Sequence, residues 1–172
     1  TTFAVVSGVS GAALGSGVIL ILGLANLLAD GLSMAVGAYL SLKSEREYYN
    51  RERERETWEI EHFPEGERLE MIEIYRAKGY SRQDAEALME IQSKDRDLWV
   101  DAMMVHELGL LPDDRLPIRS ALATFVSFLL AGAVPLLVYL LGLVVPIDPA
   151  VSFPVALVLS AMALFGLGTA KV

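Results

Sequence analysis

The 172-residue chain contains no cysteine, which excludes disulfides and thiolate metal sites of the zinc-finger kind. A metal bound here has to be held by oxygen, imidazole or thioether. Charge is missing over long stretches: no Asp, Glu, Lys or Arg occurs from Thr1 to Ala29, from Ser120 to Ile147 or from Pro149 to Ala170. There is no G-x-x-x-x-G-K-[ST] phosphate loop, which argues against a nucleotide-driven pump. The apolar start has no initiator Met, no basic leader and no A-x-A-like cleavage context, so it is expected to be a helix entered partway rather than a signal peptide.

What is present is apolar. Hydrophobic residues make up 53% of the chain and the mean hydropathy is +0.44, too high for a water-soluble domain of this length. A bilayer core takes about 20 apolar residues in a helix, and the uncharged stretches accommodate four spans. The first, short and expected to be truncated, covers Thr1 to Leu14. A turn at Gly15, Ser16 and Gly17 leads to the second, from Val18 to about Lys43. The third runs from about Pro117 to Leu143, and a turn at Pro146, Asp148 and Pro149 leads to the fourth, from about Val151 to Ala170. Lys43, Arg46, Arg51, Arg53 and Arg55 follow the second span, and Arg115 and Arg119 precede the third, which puts the intervening block in the cytoplasm. The loop around Asp148 then faces the other side, and Lys171 returns the chain to the cytoplasm.

All the charged residues except Asp30, Asp148 and Lys171 lie between Lys43 and Arg119, and acidic residues outnumber basic ones there. Nucleic acid is a poor partner for such a block, since its phosphates need Lys and Arg; a cation is a good one. Three helices are expected in it: Ser44 to about Glu61, ended by Pro64 and Gly66; Glu65 to Lys78, stopped at Gly79; and one capped by Ser81 that continues to Leu108 before Gly109. The fold class is thus all-α, a polytopic membrane bundle with an inserted three-helix cytoplasmic domain. Its divisions are 1–43, 44–116 and 117–172.

Glu56 and Glu59 share a helix face three residues apart, and Glu67 and Glu70 repeat the spacing. Carboxylates so placed repel unless a cation or proton sits between them, and they suit manganese, magnesium, calcium or iron(II). The competing reading is a solvated, salt-bridged surface, because Arg51, Arg53 and Arg55 alternate with Glu52, Glu54 and Glu56. Met103, Met104 and Glu107 lie within four residues; thioether beside carboxylate favours a softer transition metal, although a Met pair on an amphipathic helix is commonly core filler. His62 and His106 lie nearby. In the second span Asp30 is the single carboxylate, costly at that depth, and Asn26, Asp30 and Met34 fall one turn apart on one face of a path. The alternative is that Asp30 caps a break at Gly31. Gly8, Gly11, Gly15 and the Gly31 to Gly37 region offer close helix contacts within the bundle or across a dimer, and Pro135 is expected to kink the third span.

The run from Ala29 to Glu45 (ADGLSMAVGAYLSLKSE) with Tyr48 to Glu56, the segment Trp99 to Leu110 (WVDAMMVHELGL) and the Pro135-containing span resemble the vacuolar iron transporter family over nearly the whole chain. The resemblance implies five spans per subunit, a homodimer with the ion path at its interface, and a three-helix cytoplasmic metal-binding domain. It implies proton-coupled export of iron(II), and of manganese(II) in some members, across a vacuolar or bacterial or archaeal plasma membrane, with the ion as substrate and no resident cofactor. Carried over, the metal ligands fall on Glu56, Glu59, Glu67, Glu70, Glu107, Met103 and Met104, and the path methionine on Met34. The chain departs from the family where an acidic residue would precede the first span and where the fifth span would follow Val172, as expected of a fragment. It also carries Asn26 where some members have glutamate, leaving Asp30 as the candidate proton-coupling group.

Two other classes fit parts of the pattern. A di-iron oxidase bundle uses two Glu-x-x-His elements, and only Glu59 and His62 form one, since Met103 stands three before His106. A metal-sensing or storage adaptor would use the acidic helices without transport.

Overall fold

The computed structural model describes residues 1–12, 15–144 and 149–169. The expected turn residues Pro146 and Asp148, and Lys171, lie outside the described residues. Among the described residues all regular structure is helical: α1 (Thr2–Gly11), α2 (Ser16–His62), α3 (Pro64–Ala77), α4 (Arg82–Gln92), α5 (Arg96–His106), α6 (Pro117–Leu141) and α7 (Pro149–Thr169). The all-α expectation agrees with this.

Two helix boundaries differ from those expected. The second apolar span and the first charged helix are one unbroken helix of 47 residues, because no Gly or Pro occurs between Gly37 and Phe63 to interrupt it. The helix expected from Ser81 to Leu108 is instead two, α4 and α5, separated at Ser93 to Asp95. Asp95 explains the break: its carboxylate accepts from the backbone N–H groups of Asp97 and Leu98 at 2.9 and 3.3 Å, an N-cap in the middle of the sequence pattern. The charged block therefore holds the second half of α2 and three further helices.

The chain divides into two compact units, one of Thr1–Ser41 with Leu116–Val172 and one of Leu42–Arg115. In the first, α6 packs along α7, and α1 touches both. Its core gathers Val6, Ile19, Leu20, Leu27, Leu136, Val138, Tyr139 and Ala156. Glycine sets the closest approaches: a Cβ at Gly132 would stand 2.4 Å from a Leu27 methyl, and Gly31 lies against the rings of Phe125 and Phe128. Gly8, Gly11, Gly15 and Gly37 meet nothing within 4 Å. Among the described residues two helices, α2 and α6, are long and apolar enough to cross a bilayer, whereas α1 and the apolar part of α7 are shorter. Leu122, Leu130, Leu137, Leu140 and Leu141 of α6 are all about half exposed or more, so its apolar surface is not spent on the unit's own core.

In the second unit α3 packs on α4 and α5, around Ile60, Met71, Ile72, Tyr75, Ala85, Met89, Trp99, Val100, Ala102, Met103 and Met104. Pro64 opens α3 directly after Phe63, so α2 and α3 are joined by one non-helical residue. Gly79 and Gly109 follow α3 and α5 with φ of +103° and +66°, backbone that side chains other than glycine adopt at a cost. Ser81 caps α4 by accepting from the Asp84 N–H at 3.1 Å. Ser81→Ala should cost about 1 kcal/mol. Chemical unfolding followed by tryptophan fluorescence reads this unit directly, since both tryptophans, Trp58 and Trp99, lie in it.

Candidate metal centre

On each of three helices a carboxylate falls in register with the apolar residues. On α2, Glu56 stands four before the buried Ile60 and seven after Tyr49, which packs on the same core. On α3, Glu67 stands four before the buried Met71 and eight before the buried Tyr75. On α5, Val100, Met103 and Met104 lead one turn on to Glu107, the C-cap residue. Helical periodicity carries each acid onto the face its helix turns to the core. The consequence is convergence: Glu56, Glu67 and Glu107 each offer a carboxylate oxygen within 4.8 Å of the others. Oxygen ligands about 2.0–2.6 Å from a cation stand no more than about 5 Å apart, so a divalent ion fits between them with little adjustment.

Glu56 is wholly buried. Its Oε1 accepts from Arg55 Nη2 at 3.0 Å, while Oε2 is buried with no hydrogen-bond partner. An unpartnered buried carboxylate oxygen is costly, and a cation in the site would satisfy it. Burial pushes the Glu56 carboxyl upward, against the Arg55 hydrogen bond that lowers it, with Glu59 adding to the rise. Glu67 is pushed up to about 7, first by burial and then by the charges of Glu59, Glu56 and Glu70. Glu107, although exposed as a residue, is also pushed up to about 7, by desolvation of its carboxyl and then by Glu56, Glu70 and Glu67. Three carboxyls that resist sharing negative charge are poised to exchange protons for a metal.

The other candidates fall elsewhere. Glu59 and Glu70 lie outside the trio and act on it as neighbouring charges; Glu59 Oε2 is 3.6 Å from Arg55 Nε. Met103 and Met104 are fully buried in the apolar cluster with Met71, Met89 and Val100. His62 stacks on Trp58, with ring centroids 4.4 Å apart, and its Nδ1 is 2.8 Å from the Trp58 carbonyl. Lys78 Nζ lies 2.6 Å from Nδ1 of His106. Burial, and then that lysine, push the His106 imidazole below its usual value, so Nδ1 accepts from the ammonium. Arg53 pairs with Asp101 and Arg96 with Glu61, tying α2 to α5. In the other unit Asn26 Nδ2 donates to Asp30 Oδ2 at 3.2 Å, and Met34 is about half exposed on the same helix.

Sequence reasoning set Arg55 among surface salt bridges, yet it is the arginine that touches the trio. Its signal was local: Glu52, Glu56 and Glu59 lie three before, one after and four after it.

A family model described as the VIT family matches residues 1–172. The chain is 42% identical, over 99% of its length, to a vacuolar iron transporter of Toxoplasma gondii, covering 59% of that protein. It is 37% identical over 98% of its length to vacuolar iron transporter 1 of Arabidopsis thaliana, covering 66% of it. A vacuolar iron transporter of Plasmodium falciparum is 36% identical over 81% of this chain and is covered over 52% of its own length. The chain thus spans between about half and two thirds of the length of these relatives.

Proposed function

Because the chain belongs to the VIT family, we propose that it serves transmembrane transport of iron(II), and of manganese(II), out of the cytosol by proton antiport. The convergence of the Glu56, Glu67 and Glu107 carboxylates, with one oxygen of Glu56 buried and unpartnered, is the observation that carries this reading. Oxygen-only ligands suit iron(II) and manganese(II). Glu59 and Glu70 add negative potential around the trio, and Met103 and Met104, one turn before Glu107, supply thioethers that a rearranged site would use. On this reading the Leu42–Arg115 unit faces the cytosol, collects the ion and raises its local concentration. The apolar helices span the bilayer, and a second copy of the chain completes the path in a homodimer.

Asp30, Asn26 and Met34 line the path in this scheme. Asn26 holds the Asp30 carboxylate through one hydrogen bond, leaving its other oxygen for an ion. A proton arriving from the far side competes with the metal for that carboxylate and releases it, which couples the two fluxes.

Uptake into proteoliposomes containing the full-length protein tests this. Iron(II) and manganese(II) should enter when a pH gradient is imposed and stop when it is collapsed. Binding without gradient-dependent uptake would replace transport with the sensing or storage role.

A further inference from the structure

The carboxylate trio has a cation of its own. The Arg55 guanidinium donates through Nη2 to Glu56 Oε1 at 3.0 Å, reaches Glu52 Oε2 through Nη1 at 2.8 Å, and holds Nε 3.6 Å from Glu59 Oε2. Its fork spans three carboxylates, one belonging to the trio and one bordering it. The arginine side chain is 47% exposed, so its head can leave for water without opening the core. Neighbouring Arg53 is committed to Asp101 instead, and Arg51 is exposed one turn earlier.

Resting on the metal reading above, we propose that Arg55 is an affinity-setting residue of the site, a resident counter-cation that stabilises the metal-free carboxylates and holds down their affinity for a divalent ion. A guanidinium stays charged at every working pH. With the trio empty it offsets part of the repulsion among Glu52, Glu56 and Glu59. With a divalent ion bound it becomes a like charge beside that ion, and Glu56 Oε1 has to divide itself between the two. The pair is half-buried, with Arg55 exposed and Glu56 not, and the arginine's charge acts with doubled weight on a divalent ion. A site that hands its cargo on must release it, and the arginine keeps the trio's hold on the ion loose enough for that.

The test is calorimetric titration of the full chain in detergent with manganese(II), which does not oxidise in air. Arg55→Gln should bind about tenfold more tightly, the weight of one unit charge about 6 Å from a divalent ion in a water-like medium. Its metal-free thermal midpoint should fall while its metal-saturated midpoint matches the parent. A residue with a merely structural role would weaken binding on removal. Arg51→Gln, which removes the same charge one turn away, should change the dissociation constant less than about twofold. Unchanged or weaker binding by Arg55→Gln overturns the proposal, as does an equal gain from Arg51→Gln. If Arg55→Gln does not fold, Arg55→Lys carries the test: a single ammonium cannot span three carboxylates, so affinity should rise by a smaller factor, and no rise overturns the role. A parent protein that takes up no manganese(II) removes the metal reading itself and this role with it.

Discussion

Glu56→Gln is expected to weaken manganese(II) binding about 100-fold while raising the thermal midpoint of the metal-free protein. The two effects have one cause. Glu56 is wholly buried, and its Oε2 finds no partner, so the ionised carboxylate is a cost to the fold that only a cation removes. The amide keeps the size and an acceptor for Arg55, offers N–H donors beside the carboxylates of Glu67 and Glu107, and carries no charge. Loss of even an outer-shell partner weakens metal binding about 10–100-fold, and loss of the buried ligand belongs at or above the upper end. A carboxylate kept for stability alone would behave oppositely, with the midpoint falling. Titration calorimetry and thermal unfolding in EDTA read the two halves separately.

The second large effect is on pH. Glu67 and Glu107 are both held up to about 7, so near pH 6 both carry protons that a metal must displace. Affinity should be nearly flat above pH 8 and should fall below 7 by up to about 100-fold per unit, the limit for two protons released per ion. The sign for stability follows from the same shift. The folded state binds protons more tightly than the unfolded chain, so their stabilisation is fully present below about 4.5, the ordinary value for glutamate, and is lost as pH rises through 7. The metal-free midpoint should therefore be higher at pH 5.5 than at pH 8, and manganese(II) should restore it at pH 8. A midpoint indifferent to both pH and metal would show that these carboxyls do not meet.

The sequence carried the helical class and the apolar stretches because helix periodicity and the absence of charge are local properties. It missed the continuity of α2 because a change from apolar to charged side chains alters what surrounds a helix, not the backbone, and no residue after Gly37 breaks it before Phe63. It missed the α4–α5 break because Asp95 reads as one more surface acid until its caps to Asp97 and Leu98 are seen. At the site, spacing along one helix paired Glu56 with Glu59 and Glu67 with Glu70. Packing brings together the glutamate of each pair that is in register with Ile60 or with Met71 and Tyr75, and sets both beside Glu107, which the sequence had placed next to Met103 and Met104. Counting in fours from the apolar residues of α2 and α3, rather than between acids, singles out Glu56 and Glu67.

The central claim is that Glu56, Glu67 and Glu107 together hold a divalent metal. Anomalous diffraction from crystals of the protein soaked in manganese(II) tests it most directly. A manganese peak is expected within ligand distance of all three carboxylates, with Glu56 Oε2 among its ligands. A peak placed only on exposed acids such as Glu54 or Asp84, or none at saturating manganese(II), would contradict it.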